Sequence, residues 1–319
     1  MARATCSRLM DSSTNRETMT RILQTTGQGN FIETTWINPK CGDDEITVES
    51  VMTGVCRSDI DMMEGNFGPL PINMQGHEGL GKVIKVGKNI TDAVVGDYVA
   101  TRGEPAYADR YNSRSREYVV VPEAHPRYIL EPVACGINIV QQPIREIAER
   151  AGASKRLLIL GSGFLAWVAF NVILIHHLDF EITVVGNSNK ELWGEVLHQE
   201  YEGTFDVIID LSSKMDIFEK TILNNEALVV FGSQKQVSTD FSNLLWKACT
   251  MIFPSPRTEN FYHCMKDAAY WIEQGDIVVD SFWTRAYNRD TEWQQAFADG
   301  QNRPAGYSRG YIYWDNNGN

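Results

Sequence analysis

The stretch RLLILGSGFLAWVAF, Arg156 to Phe170, joins two apolar runs through a pair of glycines. The first run has the length and composition of a strand buried on both faces. The second has the length of a helix. Between them Gly161, Gly163 and Ala166 follow the pattern G-x-G-x-x-A. The pattern is weak alone, but a strand before it, a helix after it and another strand about twenty residues on make it specific. The first glycine permits a tight turn, and the second lets a pyrophosphate approach the backbone. Ala166 lets the helix pack close to the strand, and the helix N-terminus attracts the anion. Gly161, Gly163, Phe164, Leu165 and Ala166 are therefore the candidate dinucleotide-binding loop. The plainer reading is an ordinary βα turn without a ligand.

The next strand predicts which dinucleotide. In TVVGNSNKE, Thr183 to Glu191, the strand ends without the acid that would bond a ribose 2′-hydroxyl. Gly186 stands there instead, followed by Asn187, Ser188, Asn189 and Lys190. Removing a carboxylate removes repulsion against a 2′-phosphate, and these side chains can donate to one. NADP(H) is therefore favoured over NAD(H), with Gly186, Asn187, Ser188 and Lys190 as candidate contacts.

Outward from this loop the chain keeps one rhythm. TFDVIIDLSS (204–213) and EALVVFGSQ (226–234) are further apolar strands ending in small residues. A helix is expected over GINIVQQPIREIAERAGAS (136–154). Apolar strands alternating with helices mean a parallel sheet covered on both faces. Before about residue 125 the text differs. DEITVESVMTGV (44–55), LGKVIKVG (80–87), GDYVATRG (96–103) and REYVVVPE (116–123) are short β-rich runs broken by turn residues, as in an antiparallel sheet or barrel. The closing GYSRGYIYWDN reads as a late strand that returns to this first region.

The chain has 319 residues, long enough for two domains. Hydrophobic residues make up 43% and charged residues 22%, ordinary for a globular protein. A net charge of -12, with no basic block, argues against nucleic acid and anionic membrane partners and for a small molecule. No apolar run is long enough to span a bilayer. The polar opening MARATCSRLMDSSTNRETMTR has no apolar core of a secretory signal, so a cytoplasmic protein is expected. The six cysteines are scattered without a C-x-x-C pair, which excludes a four-cysteine zinc knuckle.

Two short motifs carry the chemistry. VCRSDID (55–61) holds Cys56 among polar residues, and GHEGLG (76–81) sets His77 beside Glu78. Alcohol oxidation requires the hydroxyl proton to leave before hydride leaves carbon. A zinc ion held by about three protein ligands, with one open position, supplies that acidity. A thiolate and an imidazole are suitable ligand types. Singly, a core cysteine and a turn histidine are the plainer readings. His125, His176, His177, His198 and His263 are read as ordinary, the last two in helical text.

GVCRSDI, GHEGLGKVIKVG, VGDYV, EYVVVP, LEPVACGINIV and the glycine loop occur in the order found in the medium-chain dehydrogenase/reductase superfamily, the zinc alcohol and polyol dehydrogenases. The chain resembles that family from about 30 to 315. The resemblance implies an α/β protein: a GroES-like β-rich catalytic domain over 1–140 and 285–319, and a Rossmann doubly wound parallel-sheet domain over 141–284. It implies one catalytic zinc on Cys56 and His77, whose separation matches the family's, with Glu78 as a ligand or an exchanging carboxylate. Glu131, in the E-P pair of the polyol and sugar branch, is the implied third ligand, and Cys135 competes with it. Ser58 would pass the substrate proton toward solvent, and Asp61 would end that relay. Asp59 would hold the zinc histidine's other nitrogen, and Arg57 would lie near the pyrophosphate. The 101–116 loop has no cysteine, so no structural zinc is expected. MIFPSPRTENF (251–261) carries Pro254 and Pro256 where the family usually has a glycine and small residues, in an edge strand that often pairs across a dimer. Prolines weaken such pairing, so a homodimer is expected to be altered or missing. The alternatives are a zinc-free quinone or enoyl reductase of the same superfamily, and a dinucleotide-binding sensor or structural protein without turnover.

Overall fold

A computed structural model describes residues 19–37, 40–66, 75–212, 222–233 and 242–314. Most of the polar N-terminal stretch and residues 67–74 lie outside them. The chain begins with a hairpin-like pair, β1 (Met19–Thr25) against β2 (Phe31–Ile37). β3 (Glu45–Gly54) then runs into a helix, α1 (Arg57–Met63). β4 (Gly79–Val86), β5 (Tyr98–Thr101), β6 (Arg110–Arg114) and β7 (Tyr118–Val121) complete the β-rich region.

Two helices follow, α2 (Glu131–Gln141) and α3 (Ile144–Ala148). The alternating region runs β8 (Arg156–Leu160), α4 (Phe164–Ile175), β9 (Glu181–Val185), α5 (Lys190–Trp193), β10 (Leu197–His198), β11 (Phe205–Asp210), β12 (Leu223–Phe231), α6 (Ser242–Lys247), β13 (Thr250–Ile252) and α7 (Phe261–Gln274). The end of the chain supplies β14 (Trp283–Asn288), α8 (Trp293–Asn302) and β15 (Arg309–Tyr313).

Besides the two-stranded β1–β2 sheet, two larger sheets organise the described strands. The first has the order β14-β15-β3-β4-β5-β7, with β6 also on β3. β15 pairs antiparallel with β3, Tyr311 opposite Gly54, so the late aromatic strand does return to the first region. The second sheet is parallel throughout, in the order β10-β9-β8-β11-β12-β13. Its strands advance to one side from β8 to β10 and then to the other from β11. The direction reverses between β8 and β11, where open α/β sheets bind ligands at the strand C-termini. The glycine turn sits at that point. β11 is buried along its whole length, which is why its sequence shows no alternation.

Gly161 has φ +114, and a Cβ there would stand 3.4 Å from Leu211. A branched side chain is strained at such a φ whatever the space. Gly161→Val is expected to destabilise the protein by about 1–3 kcal/mol in urea denaturation. An unchanged midpoint would show that the turn relaxes at no cost.

Two local expectations are corrected. The helix expected over 136–154 starts five residues earlier, at Glu131, and breaks at Pro143, which caps α3. A helix tolerates Pro132 in its first turn but not Pro143 in its interior. Cys56, just past the β run that ends at Val55, caps α1. His198 lies in β10 opposite Val185, not in a helix, whereas His263 is in α7 as expected.

Candidate active site

Cys56, His77 and Glu78 converge although they come from different elements. Cys56 is the N-cap of α1. Asp59, three residues on, accepts a hydrogen bond from the Cys56 backbone N–H at 3.0 Å, and the Cys56 side chain faces the Asp59 N–H in return. This reciprocal box satisfies two of the helix's orphan donors and fixes where the thiol points. Glu78 immediately precedes β4, and its backbone oxygen accepts from Gly54 N–H at 2.9 Å. One ligand atom from each of Cys56, His77 and Glu78 lies within 4.8 Å of the other two.

The neighbours divide the work. Ser58 Oγ donates to Cys56 Sγ at 3.2 Å and lies 3.3 Å from His77 Nε2. The other ring nitrogen, Nδ1, faces Asp59 Oδ1 at 3.6 Å. Asp59 is wholly buried, and its second oxygen accepts from the Tyr107 hydroxyl at 2.8 Å. Glu78 is also wholly buried and receives both carboxylate contacts from Arg309 of β15. A Cβ on Gly54 would come within 1.9 Å of Glu78 Oε2, so only glycine leaves this carboxylate its place. The Arg309 guanidinium also stacks 4.7 Å from the Phe164 ring and 4.9 Å from Trp283, linking the site to the first residue of α4.

Glu131 opens α2 and is 5% exposed. Cys135, one turn further, donates from Sγ to Glu131 Oε1 at 3.3 Å. The two competitors for the third ligand therefore touch each other. Glu131 interacts electrostatically with both His77 and Glu78. Arg57 and Asp61 are instead turned to each other. The guanidinium bonds Asp61 at 2.8 Å and Glu64 at 3.3 Å on the outer face of α1.

The electrostatics are those of a buried anionic pocket. Burial pushes the Cys56 thiol up, and Glu78 pushes it further. Burial likewise raises the Asp59 and Glu131 carboxyls against the pull of His77. Burial alone would lower His77, but Asp59, Glu131 and Cys56 together outweigh it and hold the imidazole well above its ordinary range. Several acids that resist ionisation around one imidazole make a site suited to a cation. Sulfur, nitrogen and carboxylate oxygen are also the ligand set of zinc, which binds them at about 2.0–2.3 Å. The residues fit that ion.

At the glycine turn, Gly163 caps the twelve-residue α4. A Cβ there would meet nothing within 4 Å, so the helix N-terminus opens onto free space of the kind a pyrophosphate needs. Phe164 and Ala166 are buried, and Leu165 is partly so. Beyond β9 the loop is tied to Ser162. Its hydroxyl accepts from Ser188 N–H at 3.0 Å and sits 3.0 Å from Ser188 Oγ. Its carbonyl accepts from Asn189 Nδ2 and Trp193 Nε1, each at 3.1 Å. A Cβ on Gly186 would fall 2.3 Å from Ser162 Oγ, which gives the missing acid a steric cause. Asn187, Ser188 and Lys190 are exposed.

Sequence reading missed Arg309, Tyr107 and Ser162. Arg309 is the one arginine in an aromatic strand, which was a usable signal. Tyr107 lies in an unpatterned loop and gave none.

Comparison with known proteins places dehydrogenases beside this chain. Residues 42–130 match the alcohol dehydrogenase GroES-like domain family. An alcohol dehydrogenase of Schizosaccharomyces pombe is 42% identical over 64 residues, 19% of this chain and 18% of that enzyme. An L-threonine 3-dehydrogenase of Pyrococcus abyssi is 22% identical over 81% of this chain and 88% of its own. Among solved structures, a putative zinc-binding dehydrogenase of Sinorhizobium meliloti bound to NADP superposes with a TM-score of 0.69 at 16% identity, covering 93% of this chain and 100% of that one. These relatives and solved neighbours are dehydrogenases, which supports a dehydrogenase-like oxidoreductase, and the chain is similar to the medium-chain dehydrogenase/reductase superfamily. Among the described residues no helix is long and apolar enough to cross a membrane.

Proposed function

We propose that the protein is a zinc-dependent, NADP(H)-preferring oxidoreductase that interconverts an alcohol, polyol or sugar hydroxyl with its carbonyl by hydride transfer. The convergence of Cys56, His77 and Glu78 carries this reading, because three ligand types from two distant chain segments meet at one point. It favours a zinc enzyme over a zinc-free reductase of the same superfamily.

Cys56, His77 and Glu78 would hold the ion, with Glu131 or Cys135 adjacent. Bound there, zinc would polarise the substrate oxygen and lower its pKa, while the nicotinamide exchanges hydride with the carbon. Ser58 Oγ, beside both Sγ and Nε2, is placed to take the hydroxyl proton and pass it outward. Asp61, held by Arg57, would end that relay. Asp59 keeps His77 in the tautomer that leaves Nε2 free to coordinate. Arg57 would reach a pyrophosphate only by leaving Asp61. We take 1–140 with 285–319 as the catalytic domain and 141–284 as the cofactor domain.

Titrating NADPH and NADH, then screening secondary alcohols, polyols and sugars before and after chelation, tests the proposal. Turnover that is lost with chelator and restored by zinc supports it. Turnover that survives complete metal removal overturns it. The cofactor preference has its own test. Asn187→Asp places a carboxylate on the exposed loop without the Gly186 clash. It is expected to lower the NADPH-to-NADH affinity ratio at least about tenfold, roughly 1.4 kcal/mol. An unchanged ratio would remove Asn187 from the 2′-phosphate contacts.

A further inference from the structure

We propose that Tyr107 is a positioning residue of this metal centre: its hydroxyl anchors one oxygen of Asp59 so that the other orients His77 toward the ion. The inference rests on the metal reading above and assigns a new residue to it.

Tyr107 lies between β5 and β6, in the loop Gly103–Asp109, with no exposed surface. The loop is clamped on both sides. Leu23 N–H donates to the Tyr107 carbonyl at 3.2 Å, and Ala106 N–H donates to the Gly76 carbonyl at 2.7 Å. The ring meets Phe31 and Phe297 edge to face, with centroids 5.8 and 5.3 Å away. Gly76, the residue before His77, makes the fit possible. It has φ +76, and a Cβ there would stand 2.6 Å from Tyr107 Cγ. The ring therefore packs directly against the segment that presents the histidine.

The hydroxyl ends between two acceptors, Asp59 Oδ2 at 2.8 Å and the Gly54 carbonyl at 3.2 Å. Its single proton goes to the nearer carboxylate. That same oxygen also accepts from the Cys56 backbone N–H. Asp59 Oδ2 is thus fixed by two donors, while Oδ1 has no hydrogen-bond partner and faces His77 Nδ1. This division is what a histidine ligand needs behind it. One carboxylate oxygen is pinned, and the other waits for the imidazole N–H. The connected set is Tyr107, Asp59 and His77. It spans three separate segments, so the position of the imidazole depends on a residue thirty positions away from it in sequence. Partners of this kind set ring orientation and ligand basicity, and losing one costs metal affinity.

The test is zinc affinity, read by competition with a chromophoric chelator on the full-length protein. Tyr107→Phe keeps the ring and its packing but removes the hydroxyl, and should weaken zinc binding by about 10–100-fold. Tyr111→Phe is the control. Tyr111 is equally buried, and its hydroxyl lies 2.7 Å from Thr101 Oγ1, away from Asp59. That variant should keep the affinity within about twofold. Because Tyr107 acts through Asp59, the same change in an Asp59→Asn background should cost less than about threefold. A Tyr107→Phe protein that binds zinc as tightly as wild type overturns the proposal. So does an undiminished loss in the Asp59→Asn background, which would mark a general packing effect. Wild-type protein that binds no zinc overturns the metal reading itself, a result distinct from either.

Discussion

Cys56→Ser is expected to remove the metal and lower kcat/KM on an alcohol substrate by about 10³-fold while leaving the fold intact. The two halves of that expectation have separate causes. Cys56 caps α1, and Asp59 bonds its backbone N–H in the reciprocal box. Serine is among the preferred capping residues, so the helix start keeps or gains stability. The coordination chemistry changes sharply, because a neutral hydroxyl replaces the thiolate that zinc favours. Charge stabilisation by a bound ion is worth several kcal/mol. At about 1.4 kcal/mol per tenfold, a loss of roughly 4 kcal/mol is about 10³ in rate. Zinc content and thermal unfolding, measured on the same sample, check both halves. A variant that keeps one zinc and full turnover would remove Cys56 from the site.

Arg309→Met is expected to have the largest effect on stability. It removes the counter-ion of Glu78, which is wholly buried and has Arg309 on both oxygens. Breaking a buried pair from one side leaves an uncompensated charge and costs about 3–5 kcal/mol. Methionine keeps much of the apolar contact with Phe164 and Trp283, so lost packing is the smaller part. Zinc added to the variant should recover some of the loss, since coordination by Glu78 neutralises the same carboxylate. Urea denaturation with and without zinc checks this. A variant as stable as wild type would show that Glu78 does not depend on Arg309 as its counter-ion.

The two motifs that pointed to the site were legible because their neighbours are local. Gly161 and Gly163 sit between a strand and a helix that periodicity reveals, and the sheet order places them at the switch point. Cys56 and His77 were visible as ligand types, but α1 was not. A seven-residue helix is too short to show a period, although Asp59 three residues after the cap was a readable cue. The break at Pro143 could have been read from proline alone. Arg309 and Tyr107 escaped for another reason. Arg309 reaches Glu78 across 231 positions, and Tyr107 reaches Asp59 across 48. No local pattern encodes such contacts. They depend on β15 returning to β3, and on a loop whose sequence has no regularity.

The central claim is that Cys56, His77 and Glu78 hold one zinc ion. X-ray absorption at the zinc edge, on protein purified without chelator, tests it most directly. About one zinc per chain is expected, with a single sulfur neighbour near 2.3 Å and the remaining neighbours nitrogen or oxygen near 2.0–2.2 Å. Protein that turns over alcohol with no zinc bound, or a zinc with no sulfur neighbour, would contradict it.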